Sequence, residues 1–216
     1  IGSTGSGKST LINLIPRFFD VTDGAIRIGN IDIRDVKQHD LRSRIGYIPQ
    51  KATLFSGTIE SNLRYADENA TDSTIENALE VSQAKEFVSK MPSGIEEPIS
   101  QGGTNVSGGQ KQRLSIARAL VKNADIYIFD DTFSALDYHT DALLREALNK
   151  MVKEKHSTVF IVAQRISSIM HADKIIVLDQ GKIVGNGTHA ELMKNCPVYQ
   201  EIAYSQLSRK ELAVNE

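Results

Sequence analysis

The sequence has a single cysteine, Cys196, among 216 residues. A lone thiol excludes an internal disulfide framework and fits a reducing compartment. No run of eighteen apolar residues occurs, so no segment reads as a membrane span. No signal peptide, internal repeat or low-complexity tract is legible. Excess charge of either sign is missing too. The 25 Lys and Arg nearly balance the 27 Asp and Glu, and the net charge of −2 removes any bulk electrostatic case for nucleic acid. Residue 1 is Ile rather than Met, and Ile1-Gly2 reads as the last step of a strand whose beginning lies upstream.

What is present is a globular composition, 40% hydrophobic and 24% charged. The length suits one domain, or a core with a smaller lobe. Short β-rich runs recur at 25–29, 44–48, 126–129, 158–162 and 174–178. Several are apolar on both faces, as strands inside a parallel sheet are. Helical patterns lie between them, such as "QKQRLSIARALVK" with Leu114, Ala117 and Val121 at helical spacing. Strand and helix in alternation predict an α/β fold with a mainly parallel sheet. From Thr58 to Met91 the pattern is mostly helical, which predicts a helical subdomain inserted into that core. The expected division is a core of residues 1–56 and 119–206, a helical subdomain over 57–118, and a tail over 207–216. The segment 187–207 reads as two short helices broken at Pro197.

"GSTGSGKS" fits the pattern G-x-x-x-x-G-K-[ST]. Its residues Gly2, Ser3, Thr4, Gly5, Ser6, Gly7, Lys8 and Ser9, with Thr10 after them, are candidates for phosphate binding. Glycines let the backbone wrap phosphates with its amides pointing inward. Lys8 can reach β- and γ-phosphates, and the Ser9 hydroxyl can ligate Mg²⁺. "IYIFDD" ends a strand on two carboxylates. Asp130 is placed to hold the metal, and Asp131 to orient an attacking water. A strand-end pair of aspartates can alternatively cap a helix. "VSGGQ" puts Ser107, Gly108, Gly109 and Gln110 at the head of a helix, a second anion-binding geometry. One nucleotide rarely needs two such loops, so the second would serve a nucleotide held by another copy or partner. A Ser-Gly-Gly helix cap is the plainer alternative.

Together these motifs resemble the nucleotide-binding domain of ABC transporters, over nearly the whole chain and in the family's order. "GSTGSGKS" resembles Walker A, Gln50 the Q-loop glutamine, "VSGGQ" the signature with Val106 for Leu, "IYIFDD" Walker B, and "SALD" the D-loop. Residues 181–192 resemble the segment that closes such domains. Within the family, bacterial multidrug-type exporters are the most similar. The resemblance implies a P-loop NTPase fold of ABC ATPase type with ATP and Mg²⁺ as ligands, the metal near Ser9, Gln50 and Asp130. It implies a head-to-tail dimer with a second nucleotide-binding domain, a transmembrane domain as partner, and a place at the cytoplasmic face of the plasma membrane. Nucleic acid is not an implied partner. The 55 or so residues between Gln50 and the signature show no sustained heptads, unlike the coiled-coil relatives of DNA repair.

Two positions depart from the family's hydrolytic pattern. Glu follows the Walker B aspartate there, whereas Asp131 stands here; a His lies in the loop after the next strand, whereas "IVAQR" carries Gln164. Asp is shorter by one methylene, about 1.5 Å. Gln can donate to a γ-phosphate but cannot take up or carry a proton. Asp131, Gln164 and Gln50 are therefore the candidate catalytic positions of a weakened site, similar to the degenerate half of heterodimeric exporters. Readings of another kind are a nucleotide-binding regulatory module without turnover and a soluble ABC ATPase. Arg17, Lys37, Arg42, Arg44 and Arg64 read as solvated surface, and His39 and His189 as ordinary polar positions.

Overall fold

The computed structural model describes residues 1–207; most of the expected tail lies outside the described residues. In chain order the first elements are α1 (Lys8–Asn13), β1 (Arg27–Ile28), β2 (Ile31–Asp32), α2 (Gln38–Ser43), β3 (Ile45–Ile48) and β4 (Gly57–Thr58). Then come α3 (Ile59–Arg64), α4 (Asp72–Val81), α5 (Lys85–Ser89), β5 (Pro98–Ile99), α6 (Gly108–Val121) and β6 (Ile126–Asp130). The last are α7 (Tyr138–Lys155), β7 (Thr158–Val162), β8 (Ile175–Asp179), β9 (Lys182–Gly187), α8 (His189–Asn195) and α9 (Pro197–Gln206). The chain forms two compact units, one of Ile1–Ile26 with the chain from Ile161 on, the other Arg27–Phe160.

In the second unit the sheet runs β3-β6-β7. β3 and β6 are parallel, in register from Ile45 opposite Ile126 to Ile48 opposite Phe129. Every residue of β6 is buried, which is why its sequence shows no alternation. Gly46 is required at its place, because a Cβ there would lie 2.6 Å from the Tyr127 ring. The expected helices between Thr58 and Met91 are α3, α4 and α5. α3 and α4 pack on α6 and α5 on α4, with Ile59, Leu63, Ile75, Leu79 and Leu114 buried. Each such side chain contributes roughly 1.5–3 kcal/mol by leaving water. The buried Asn62 ties the connection from β3 in place, accepting from the Phe55 N–H at 2.8 Å and donating to the Phe55 and Thr58 carbonyls. Arg64 is not solvated surface. Its guanidinium donates to Glu60, to the Ala70 carbonyl and to Asp72, bracing α3 against α4.

Two runs expected among parallel strands pair otherwise. β1 forms an antiparallel pair with β2, and β8 one with β9. β8 keeps one parallel link, a bridge between Leu178 and Gly2. In this first unit Ile166 and Val177 form a hydrophobic core with Tyr199 and Ala203 of α9. Pro197 opens α9 rather than ending α8 by itself, as a proline at the first helical position does. His189 is not an ordinary polar position either. It is 8% exposed, and its Nδ1 lies 2.7 Å from the Tyr199 hydroxyl.

Candidate functional site

The loop ahead of α1 takes conformations that side chains resist. Gly5 and Gly7 have φ of 80° and 95°. At Gly2 a Cβ would stand 2.0 Å from the Leu178 carbonyl oxygen, so contact with β8 admits nothing larger. At Gly5 no atom lies within 4 Å of a Cβ, so positive φ alone makes the demand, and the ground above it stays open. The loop is braced from below: the Ser6 N–H donates to the Ser3 carbonyl and the Gly181 N–H to that of Ser6, both at 3.2 Å. Ser6 is buried, while Ser3, Thr4 and Thr10 are exposed. Lys8 donates to the Gly2 and Ser3 carbonyls at 2.8 and 2.7 Å. Its ammonium thus lies over the loop, where an arriving anion competes with weak carbonyl partners.

The second unit carries two adjacent carboxylates of its own. Because β3 and β6 are parallel and aligned, both lead toward the same end. That brings Gln50, two residues past β3, to the aspartates that close β6. Asp130 and Asp131 are 5% and 7% exposed. Gln50 Nε2 donates to Asp131 Oδ2 at 3.0 Å. The Tyr47 hydroxyl donates to Asp130 Oδ2 at 3.4 Å. Burial, and then the Asp130 charge, push the Tyr47 pKa up to about 12, so it keeps its proton. Sequence reasoning missed Tyr47, since a tyrosine in an apolar strand reads as core; its position three before Gln50 was the available signal.

Asp131 has φ 47° and ψ 30°, the left-handed region. Its backbone turns the chain out of β6 into a short 3₁₀ turn, Thr132–Ala135, where the Ser134 hydroxyl donates back to the Asp131 carbonyl at 2.8 Å. Asp131 sits at the cap position of that turn, yet its side chain makes no capping bond. The carboxylate goes to Gln50 instead.

The helix-capping reading does hold for the signature. Ser107 caps α6: its hydroxyl accepts from the Gln110 N–H, and Gln110 Oε1 accepts from the Ser107 N–H at 2.9 Å. This reciprocal box fixes Ser107 and Gln110. It does not explain the glycines. Neither Gly108 nor Gly109 has positive φ. A Cβ at Gly108 would meet nothing within 4 Å, and one at Gly109 just the Ala135 carbonyl at 3.9 Å. Gln164 lies exposed after β7 in the first unit. Its carbonyl accepts from Gln206 Nε2 at 2.7 Å, while Gln206 Oε1 accepts from the Ile166 N–H at 2.8 Å, so α9 pins this loop.

A glycine-rich loop, a lysine and a hydroxyl opening a helix, in an α/β chain with a parallel sheet, define a P-loop nucleotide-binding domain. Comparison with known proteins refines the class. The profile of the family described as ABC transporter matches residues 1–134. An uncharacterized ABC transporter ATP-binding protein of Mycobacterium tuberculosis is 49% identical over 209 residues, covering 95% of this chain and 35% of the relative. A Bacillus subtilis protein provisionally named a multidrug export ATP-binding/permease protein is 45% identical over 193 residues, 89% of this chain and 33% of the relative. A bacterial Atm1-family ABC exporter with ATP bound superposes with a TM-score of 0.91 at 36% identity, over 96% of this chain and 36% of that one. The chain belongs to the ABC transporter family, as an ATP-binding domain. It spans about a third of the length of these relatives. Among the described residues no helix is long and apolar enough to cross a membrane.

Proposed function

We propose that this chain is the ATP-binding domain of an exporter and that its own site holds MgATP with little hydrolysis. The loop amides and Lys8 would grip the β- and γ-phosphates. The donor set fits Mg²⁺, which takes oxygen ligands and uses one or two carboxylates plus phosphates rather than an all-protein cage. Asp130 is a buried strand-end carboxylate, and no cluster of three His, Cys, Asp or Glu able to hold a metal occurs among the described residues. Asp130, Ser9 and Gln50 would hold the ion, which when bound neutralises phosphate charge.

One observation carries the weakened-site reading. Asp131, already short for a general base, gives an oxygen to the Gln50 amide at 3.0 Å. A base must reach its water within hydrogen-bond distance, and misplacement by an ångström costs on the order of 100-fold. Gln164 supplies no proton acceptor in compensation.

Glycines at 108 and 109 that nothing among the described residues requires support a close approach from outside the chain. We assign that approach to ATP held by a second ATP-binding domain in a head-to-tail pair, whose partner carries the working Glu and His. The exposed Phe55 and Tyr65, with ring centroids 4.7 Å apart and Arg118 5.1 Å from the Phe55 ring, would meet the transmembrane domain at the cytoplasmic face of the membrane. Export, with a multidrug range of cargo, is drawn from the names of the relatives. The basic test is photolabelling by a reactive ATP analogue. Lys8→Ala should abolish labelling of this chain, and undiminished labelling would overturn the reading.

A further inference from the structure

We infer that Tyr47 is a positioning residue for the metal-holding carboxylate, fixing the rotation of Asp130 from the neighbouring strand. The inference rests on the proposed MgATP site. Tyr47 stands opposite Ile128 in the β3–β6 register, two residues before Asp130. Two residues of strand advance about 6.6 Å. A phenol hydroxyl reaches about that far from its Cα, so a tyrosine on β3 can touch the end of β6, whereas a phenylalanine stops short.

The carboxylate has need of such a donor. Its terminal torsion is broad and is not fixed by rotamer preference. Groups that orient a ligating carboxylate by hydrogen bonding matter for metal affinity nearly as the ligand does. The Gln50 amide goes to Asp131. The Tyr47 hydroxyl goes to Asp130 Oδ2. Its distance, 3.4 Å, is long for an O–H···O bond, so the contact is an orienting one rather than a strong one. A plainer role is also conceivable, in which Asp130 simply satisfies a half-buried hydroxyl. The two roles differ in what the loss of one oxygen atom does.

The test compares the full chain with its Tyr47→Phe variant, which keeps the ring and removes the hydroxyl. Mn²⁺, a paramagnetic stand-in for Mg²⁺, is titrated by electron paramagnetic resonance in the presence of a non-hydrolysable ATP analogue. Affinity for a fluorescent ATP analogue is measured separately in EDTA. A positioning role predicts Mn²⁺ binding weakened about 10-fold, with metal-free nucleotide affinity unchanged. Unchanged Mn²⁺ affinity overturns the inference. So does an equal loss in both titrations, which marks general distortion. Absence of Mn²⁺ and nucleotide binding by the unaltered chain would instead overturn the MgATP site itself.

Discussion

At the scale of single residues, backbone and side chain agree about Asp131. A non-glycine residue in the left-handed region costs roughly 1–2 kcal/mol, and aspartate is among the few that tolerate it. Such strain collects where a side chain must be aimed. Here it turns the carboxylate toward Gln50. His189 carries a different kind of tension. Burial, and then the charge of His171, hold its pKa below the ordinary histidine value. The unfolded chain therefore takes up a proton near pH 6.5 that the folded chain refuses. Stability is complete above that pH and falls as acid is added below it. Urea midpoints between pH 7.5 and 5.5 should decline in the unaltered chain and decline less in His189→Asn. Equal slopes would show that this imidazole does not report on folding. Neither His189 nor Tyr47 was legible as special. Their type and spacing look ordinary, and what sets them apart is burial against Tyr199 and Asp130, partners 10 and 83 residues away. Lys8, Asp130 and Asp131 stand out as candidates in the sequence because each lies in a short motif whose neighbours point to the same chemistry.

At the scale of elements, α6 separates two jobs that one motif combines. Ser107 and Gln110 start the helix, and Gly108 and Gly109 leave room in front of it. Gly108→Asp tests the separation. The new side chain meets open space, and an acid in the first turn favours a helix by about 0.3–1 kcal/mol. The melting temperature should hold or rise. Steady-state ATPase of the assembled pair should nevertheless fall on the order of 100-fold, since a carboxylate would face the partner's γ-phosphate at short range. Normal turnover would mean that the loop faces no second nucleotide. The elements also show where reading by pattern stops. β6, buried throughout, was legible as a parallel core strand. β8 resembles it in sequence, yet Ile176 is 37% exposed and the strand pairs antiparallel with β9. An apolar run records affinity for a sheet and not the direction of its neighbour. The helices between Thr58 and Met91 were legible because that stretch shows no run with a strand pattern, although α3 and α5 have just six and five residues.

At the scale of the whole molecule, the proposed function implies an unequal pair. In the proposed reading this domain would contribute a phosphate loop, a metal carboxylate and a signature, while Asp131 would be a short base and Gln164 would stand where hydrolytic relatives carry histidine. On that proposal the labour would be divided: ATP held here would keep the pair closed, and ATP at the site completed by this chain's signature would be spent. The most direct measurement is single-turnover hydrolysis resolved by site in the assembled transporter, with each subunit's nucleotide followed separately. The account predicts rapid hydrolysis at the partner's P-loop and retention of intact ATP at this chain's, slower by about 100-fold or more. Asp131→Asn should then lower total turnover modestly, and loss of the partner's catalytic glutamate should nearly stop it. Equal hydrolysis rates at the two sites of the unaltered pair would contradict the account and make Asp131 an ordinary catalytic base.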